Sequence, residues 1–384
     1  MVLREWQSPR ICHLLKNNDN TPDYFALLHL LCNFSACAHA TERYPLNVMQ
    51  AGECLVDRQQ ECTTSNYASG TAALPFQTEV FPFGFSVRIK SNHPSVVDIA
   101  RDSWSCFKPR FSADLLELDF IISKGSEDRV LPGTVFRAQN NLLVVVADAH
   151  NSALCDLKSG VGFVHLTEAT IRDESYFRYN FLESTVYTLL DVQHLVALHA
   201  ACIARNGNGF LLFGDSGAGK SSLAYACAKR GLTYISDDCT FIPRRMAGRI
   251  AVGNPRTFRF RPATSALFPE LEGRVSLRSG KPTIEIKSSA LPWIDTATAC
   301  TINHIVFLNR GSREHLTAAL HPISSTECWQ RISRLNAWPA ELCIEQERLD
   351  ALKYLAGATA LQLTYTHYAE AVNMLDRLSR FDVA

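Results

Sequence analysis

The sequence predicts an α/β protein in which two folded units follow an N-terminal segment. Three observations lead to that class. The chain has 384 residues, enough for two domains of ordinary size and a further piece. Hydrophobic residues make up 47% and charged residues 20%, a composition with ample material for a buried core. From about residue 76 onward, short alternating apolar runs interleave with stretches of helical spacing, the mark of a mixed fold.

Charge excludes one class of function. Lys and Arg number 38 against 38 Asp and Glu, so the formal net charge is zero. A protein that coats nucleic acid or an anionic membrane needs a broad positive field. Any anion site here must therefore be local, and neither a nucleic-acid nor a membrane partner is expected. The thirteen cysteines are scattered, and no Cys-x-x-Cys pair occurs to suggest a zinc ribbon or a redox motif. Reduced thiols in a cytoplasmic protein are the expectation.

In chain order, residues 1–75 hold an apolar stretch, Tyr24 to Ala40, interrupted by His29, Asn33 and His39. It is too short and too polar to span a membrane and lacks the basic flank of a secretory signal, so it reads as a buried or amphipathic helix. The polar run Asp57 to Thr71 reads as a linker. Residues 76–185 read as a small α/β accessory domain. Strands are expected at Phe83–Lys90, Leu115–Ile122, Asn141–Ala149 and Gly160–Leu166, with a helix at His93–Trp104. Asp173 to Leu195 reads as one long helix with Asp173 as N-cap and Tyr176, Phe177, Phe181 and Val186 on one face.

Residues 186–384 read as a second domain. Ala197–Ala204 and Gly209–Gly214 bracket the turn Arg205–Asn208, a hairpin signature. Further strands are expected at Leu232–Ser236, Cys239–Pro243, His304–Arg310 and Leu361–Thr366. Helices are expected at Thr326–Leu335, Glu345–Ala356 and Ala369–Arg380.

The hairpin's second strand runs into the one strong motif. Gly214, Asp215, Ser216, Gly217, Ala218, Gly219, Lys220 and Ser221 fit G-x-x-x-x-G-K-[ST] at every position, and Ser222 continues into a helix-forming run that stops at Gly231. Glycines let such a loop curl so that several N–H groups and the helix N-terminus converge on an anion. Lys220 is placed to reach the β- and γ-phosphates of a nucleotide and Ser221 to ligate Mg²⁺. The same letters contain Gly-Asp-Ser-Gly, as found around a serine-protease nucleophile. The stretch from His199 to Ser216 is far too short to hold the barrels that scheme needs, and it gives Lys220 no role.

The strand Leu232–Ser236 ends in Asp237 and Asp238. Phosphoryl transfer needs one carboxylate to position a metal and benefits from another to take the acceptor's proton. His199 stands one hairpin strand ahead of the loop, a placement that suits a packed histidine as well as an active-site one. Arg256, Arg259 and Arg261 crowd a proline-bounded segment. Arg259 and Arg261 share a face if this is a strand, and Arg256 joins them only if it begins as a turn. Arg310 ends a later strand and is a further anion-site candidate.

Leu198 to Asp238 resembles the catalytic domain of HPr kinase/phosphorylase: a leading His, a hairpin, the Gly-rich loop, a helix ending Arg-Gly, then a strand ending Asp-Asp. That domain is related in fold to ATP-dependent phosphoenolpyruvate carboxykinase. The resemblance implies a P-loop kinase domain behind a smaller α/β accessory domain, with ATP and Mg²⁺ as cofactors. It implies Asp237 as base toward a hydroxyl, Asp238 and Ser221 at the metal, His199 near the active site, and a homo-oligomer. The chain departs from the family at Ser222, where Glu is usual, and Lys281–Trp293 lacks the family's glycine-rich signature. The expected activity is transfer of the γ-phosphoryl group to a hydroxyl of a protein, peptide or small molecule. A non-catalytic nucleotide sensor and a carboxykinase-like enzyme are the alternatives.

Overall fold

The structure, a computed structural model, describes residues 73–125, 131–139, 141–246, 248–272, 275–278, 281–311, 317–335 and 345–381. The expected helix at Tyr24–Ala40 and the linker at Asp57–Thr71 lie outside them. The fold is mixed α/β with three sheets among the described residues.

The first sheet has seven strands. They are β1 (Phe76–Val80), β2 (Val87–Ser91), β3 (Leu116–Ser123), β4 (Val135–Gln139), β5 (Leu142–Asp148), β6 (Asn151–Asp156) and β7 (Val161–Thr167), in the order β1-β2-β3-β7-β6-β5-β4. Helix α1 (Pro94–Ser103) packs on β1 and β2, with the His93 side chain accepting from the Ser95 amide as N-cap. Alternation along β3 sends Leu116, Leu118, Phe120 and Ile122 into the core. The other face leaves Leu142, Val144, Leu154 and Phe163 exposed. The strand expected at Phe83–Lys90 begins only at Val87. Pro82–Gly84 forms a 3₁₀ turn instead, with Phe83 at φ 55° and Gly84 at φ 92°. A Cβ on Gly84 would stand 2.7 Å from the Cβ of Arg110, so the close approach also requires glycine.

The long helix forms in pieces. After α2 (Glu168–Arg172), α3 (Glu174–Phe177) runs through a π-helical segment, Arg178–Glu183, into α4 (Ser184–Gln193). Asp173 caps it as expected, accepting from the Tyr176 amide at 2.9 Å. Phe177, Phe181, Val186, Leu189 and Leu190 are fully buried in a core that extends from Val80 to Phe241 and Val252.

The main sheet has nine strands. Its first members are β8 (Leu195–Leu198), β9 (Ala201–Arg205) and β10 (Asn208–Phe213), followed by α5 (Lys220–Lys229), β11 (Thr233–Ser236), β12 (Thr240–Pro243) and β13 (Ile250–Gly253). A small sheet of β14 (Thr257–Phe260), β15 (Val275–Arg278) and β16 (Lys281–Lys287) intervenes. The chain then returns through β17 (Ala299–Arg310), β18 (Ala319–Pro322), α6 (Ser325–Leu335), α7 (Glu345–Leu355), β19 (Thr359–Tyr365) and α8 (Tyr368–Phe381). β17 is central, parallel to β10 and β19 and antiparallel to β13. The hairpin β9–β10 pairs Arg205 with Asn208 as the sequence signature predicted.

Alternation along β10 decides the layers. Phe210 and Leu212 join the core under α5 and α8, with Leu223, Ala224, Cys227 and Leu375. Leu211 and Phe213 join the opposite core under α6 and α7, with Cys328, Ile332, Leu352 and Leu355. The small sheet covers the remaining side of α5 through Tyr225, Tyr234, Phe258 and Ile284. A buried ion pair fastens α7 to α4: Arg348 holds Asp191, whose Oδ1 also accepts from the Ala197 amide at 2.9 Å. Every cysteine among the described residues is a free thiol. No helix among them is long and apolar enough to cross a membrane.

Candidate phosphate loop and flanking cavity

Phe210 to Phe213 of β10 are fully buried, so the strand carries the loop that follows to the edge of the sheet at a fixed point. Gly217 and Gly219 adopt φ 89° and 95°, a left-handed backbone that L side chains rarely enter. Gly219 has a second constraint. A Cβ there would stand 2.6 Å from the Tyr368 hydroxyl and 2.8 Å from that of Tyr365. Tyr365 Oη donates to the Ala218 carbonyl at 3.0 Å, so the two tyrosines brace the loop from β19 and α8. Helix α5 opens directly at Lys220, leaving its first N–H groups at the loop. At its far end, Gly231 at φ 88° closes the helix. Its amide donates to the Ala228 carbonyl and the Leu232 amide to the Cys227 carbonyl, as the glycine's position predicted.

Lys220 is folded over this loop. Its Nζ donates to the Gly214 carbonyl at 2.7 Å and the Asp215 carbonyl at 3.4 Å. Burial pulls its pKa down, opposed by the carboxylates of Asp238 and Asp215. Arg261 reaches the loop from beyond β14, with Nη2 donating to Ser216 Oγ at 2.8 Å. Beside the loop lies a cleft of about 440 Å³ lined by Asp215, Gly217, Ala218 and the β17 end Leu308–Arg310. Arg310 stacks over the Tyr368 ring at 4.9 Å and donates to its hydroxyl. Ser222 follows in the first turn of α5, partly buried.

The acidic pair stands where β11 ends, next to α5. Ser221 Oγ donates to the Asp237 carbonyl at 3.2 Å. Asp237 is 6% exposed, and its Oδ2 accepts from the Arg259 backbone amide at 2.7 Å. Burial pushes its carboxyl above the ordinary carboxylate range, although Arg259 and a hydrogen bond from Tyr234 pull the other way. Asp238 faces His199, with Nδ1 and Oδ1 3.6 Å apart. His199 sits in the bend between β8 and β9 rather than on the strand before the loop. The sheet's edge changes partner there, since β8 pairs with β12 and β9 with β10 and β11. Thr240 pins the bend by donating to the Ala200 carbonyl.

The structure therefore brings together Gly214–Ser222, Lys220, Asp237, Asp238 and His199. It separates the arginines. Of Arg256, Arg259 and Arg261, only Arg259 lies in a strand. Arg261 follows β14 just before the Pro262 turn, so the two do not share a strand face. Arg256 turns toward the first sheet's helix α1, with Nη2 on Asp102 at 2.9 Å. Arg178 joins it on the same carboxylate at 2.9 Å, and the Arg256 hydrogen bond is the main reason Asp102 is held below the usual carboxylate range.

A second cavity, of about 180 Å³, opens beside Asp237 between the π-helical segment and the small sheet. Tyr179, Glu183, Tyr187, Arg259 and Glu285 help to line it, and Tyr179 Oη donates to Glu285 at 2.9 Å. Of these, sequence reasoning singles out only Arg259; it misses Tyr179, Glu183, Tyr187, Glu285 and the tyrosine brace. The one signal for the brace is the pair Tyr365 and Tyr368 at a strand-to-helix junction. Among the described residues, no group of three or more His, Cys, Asp or Glu is placed to hold a metal. Ser221 and Asp238 offer the hard oxygen donors that suit Mg²⁺, which is commonly held by one or two carboxylates together with substrate phosphates.

No protein-family model matches this chain, and no curated protein matches it. Among solved structures, the Hpr(Ser) kinase/phosphatase from Coxiella burnetii is similar over 48% of this chain and 97% of that chain, at 13% identity and a TM-score of 0.26. At that score the likeness carries no weight for fold or activity.

Proposed function

We propose that the protein is an ATP-dependent phosphotransferase with a P-loop kinase domain, residues 186–384, behind an accessory domain, residues 76–185, and that it works in the cytoplasm. One observation carries the reading. A buried carboxylate with raised proton affinity, Asp237, is fastened to the first turn of the phosphate-loop helix and borders a cavity of about 180 Å³. That is the relation a general base needs to a phosphoryl donor and a hydroxyl acceptor.

In this reading the Gly214–Ser222 backbone cradles the nucleotide phosphates, and the 440 Å³ cleft at Arg310 takes the nucleoside. Lys220 exchanges its two carbonyl partners for phosphate oxygens, and Arg261 adds positive charge from Ser216. Ser221 and Asp238 hold Mg²⁺, with His199 orienting Asp238; the ion, when bound, draws charge from the phosphates. The acceptor's hydroxyl oxygen forms a bond to the γ-phosphorus as the bond from that phosphorus to the bridging oxygen breaks. ADP leaves, and the hydroxyl proton passes to Asp237.

Binding of MgATP and transfer of its labelled γ-phosphate test the reading together. Lys220→Ala is expected to weaken nucleotide binding at least tenfold. Asp237→Asn is expected to keep nucleotide binding and lose transfer. Full transfer by both variants would overturn the assignment.

A further inference from the structure

The cavity beside Asp237 contains a cation with unused donors. Arg259 gives its backbone amide to Asp237, yet its guanidinium is poorly served. The group stacks over the Tyr179 ring at 5.4 Å and makes one long hydrogen bond, from Nη2 to Tyr179 Oη at 3.5 Å. Its Nε is buried with no hydrogen-bond acceptor, although it forms an ion pair with Glu285, whose Oε2 lies 3.7 Å away. Among the described residues Nη1 donates to nothing. A guanidinium carries five N–H donors in a planar fork, and leaving buried donors unmade is costly unless a ligand completes them.

The space limits what that ligand can be. A cavity of about 180 Å³ is worth roughly six waters at ~30 Å³ each. Its volume suits a molecule of a few heavy atoms. The lining sets Glu183, Glu285 and Asp237 against Arg178, Arg256 and Lys287, a mixed field rather than the broad positive one that suits a dianionic phosphate ester, and a single carboxylate held directly by an arginine fork fits it. One residue spans both ends of the site, its amide at the base and its guanidinium in the cavity. An acceptor that meets both ends carries its hydroxyl and its anionic group within the reach of one arginine side chain.

We infer that the acceptor is a small α- or β-hydroxy acid, its hydroxyl at Asp237 and its carboxylate on the Arg259 guanidinium. The inference rests on the phosphotransferase reading for its chemistry, but the binding step can be measured without nucleotide. Glycolate, L-lactate, D-glycerate and L-serine are titrated calorimetrically into the nucleotide-free full chain, with glycerol as the hydroxyl control that lacks a carboxylate. At least one of the four is expected to bind at least tenfold more tightly than glycerol. Arg259→Gln is expected to lose that preference, and Arg259→Lys, which keeps the charge without the fork, to retain only part of it. Equal binding of all four acids and glycerol to the wild type overturns the inference and needs no variant. Unchanged acid binding in a folded Arg259→Lys or Arg259→Gln protein overturns it as well. A separate titration of the wild type with MgADP reports on the kinase reading: no MgADP binding sinks that reading whatever the acids do.

Discussion

Asp237 combines two properties that pull against each other. Its burial raises its proton affinity, which suits a base working near neutral pH. The same burial makes its ionised form a liability to the fold. The folded pKa lies above the unfolded value near 3.8, so the stabilising share of this group is present in full below that value. It is lost as pH rises through the folded pKa. Asn at this position keeps an oxygen for the Arg259 amide and carries no charge. Asp237→Asn should therefore unfold at a higher temperature than wild type at about pH 7 to 8, with the gap closing toward about pH 4. Its phosphoryl transfer should fall by about 10²- to 10⁴-fold, the usual worth of a positioned base. Melting curves across that pH range and single-turnover rates check the two halves independently. The Asp237–Asp238 pair was legible in the sequence because it follows an apolar strand next to the glycine loop. Arg259 was legible only as one of three arginines. Its separation from Arg256 and Arg261 depends on a four-residue strand too short to show alternation.

At the scale of elements, the loop is set by what lies behind it. Ala at position 219 would meet two penalties: about 1–2 kcal/mol for a left-handed backbone, and a Cβ 2.6 Å from the Tyr368 hydroxyl and 2.8 Å from that of Tyr365. Gly219→Ala should weaken MgATP at least tenfold, and adding Tyr368→Phe should recover part of the loss while the backbone strain remains. Fluorescent-nucleotide titrations measure both. Helices α4 and α7 depend on a different contact. Arg348 and Asp191 are 3% and 2% exposed at their side chains, so removing one leaves the other charged and buried. Arg348→Leu should cost about 3–5 kcal/mol in urea unfolding. A loss under about 1 kcal/mol would mean the pair is not the buried contact described. The helices at Ser325–Leu335, Glu345–Leu355 and Tyr368–Phe381 were predicted within a residue or two, since each spans several helical turns, and the first and third carry a strong amphipathic pattern. The strands β13 to β16 were not predicted: three of them have four residues, and β16 holds a proline and two lysines.

For the molecule as a whole, the helical stretch from Glu174 to Gln193 ties the two large sheets to one site. It packs into the first sheet's core through Phe177 and Phe181, and its π-helical segment lines the cavity beside Asp237. A π-helical turn shifts the register of side chains around the helix, and such turns are frequent at functional sites. The sequence pattern read this stretch as one amphipathic helix and gave no reason to assign Tyr179 or Glu183 to a site. Their partners explain why: Tyr179 meets Glu285 across a sequence separation of 106 residues, a contact that local spacing does not encode. Zero net charge over the chain is consistent with this arrangement, because the positive potential is local to loop amides, Lys220, Arg261 and Arg259.

The central claim is that the Gly214–Ser221 loop and Asp237 together transfer a phosphoryl group to a hydroxyl. Its most direct test is incubation of the full chain with γ-labelled ATP, Mg²⁺ and a whole-cell extract, followed by separation of the labelled small-molecule and protein products. The account predicts a new acid-stable phosphate ester with wild type, and its formation at least about a hundredfold slower with Lys220→Ala or Asp237→Asn. Tight ATP binding with no labelled acceptor, or an ester formed equally by Asp237→Asn, would contradict it.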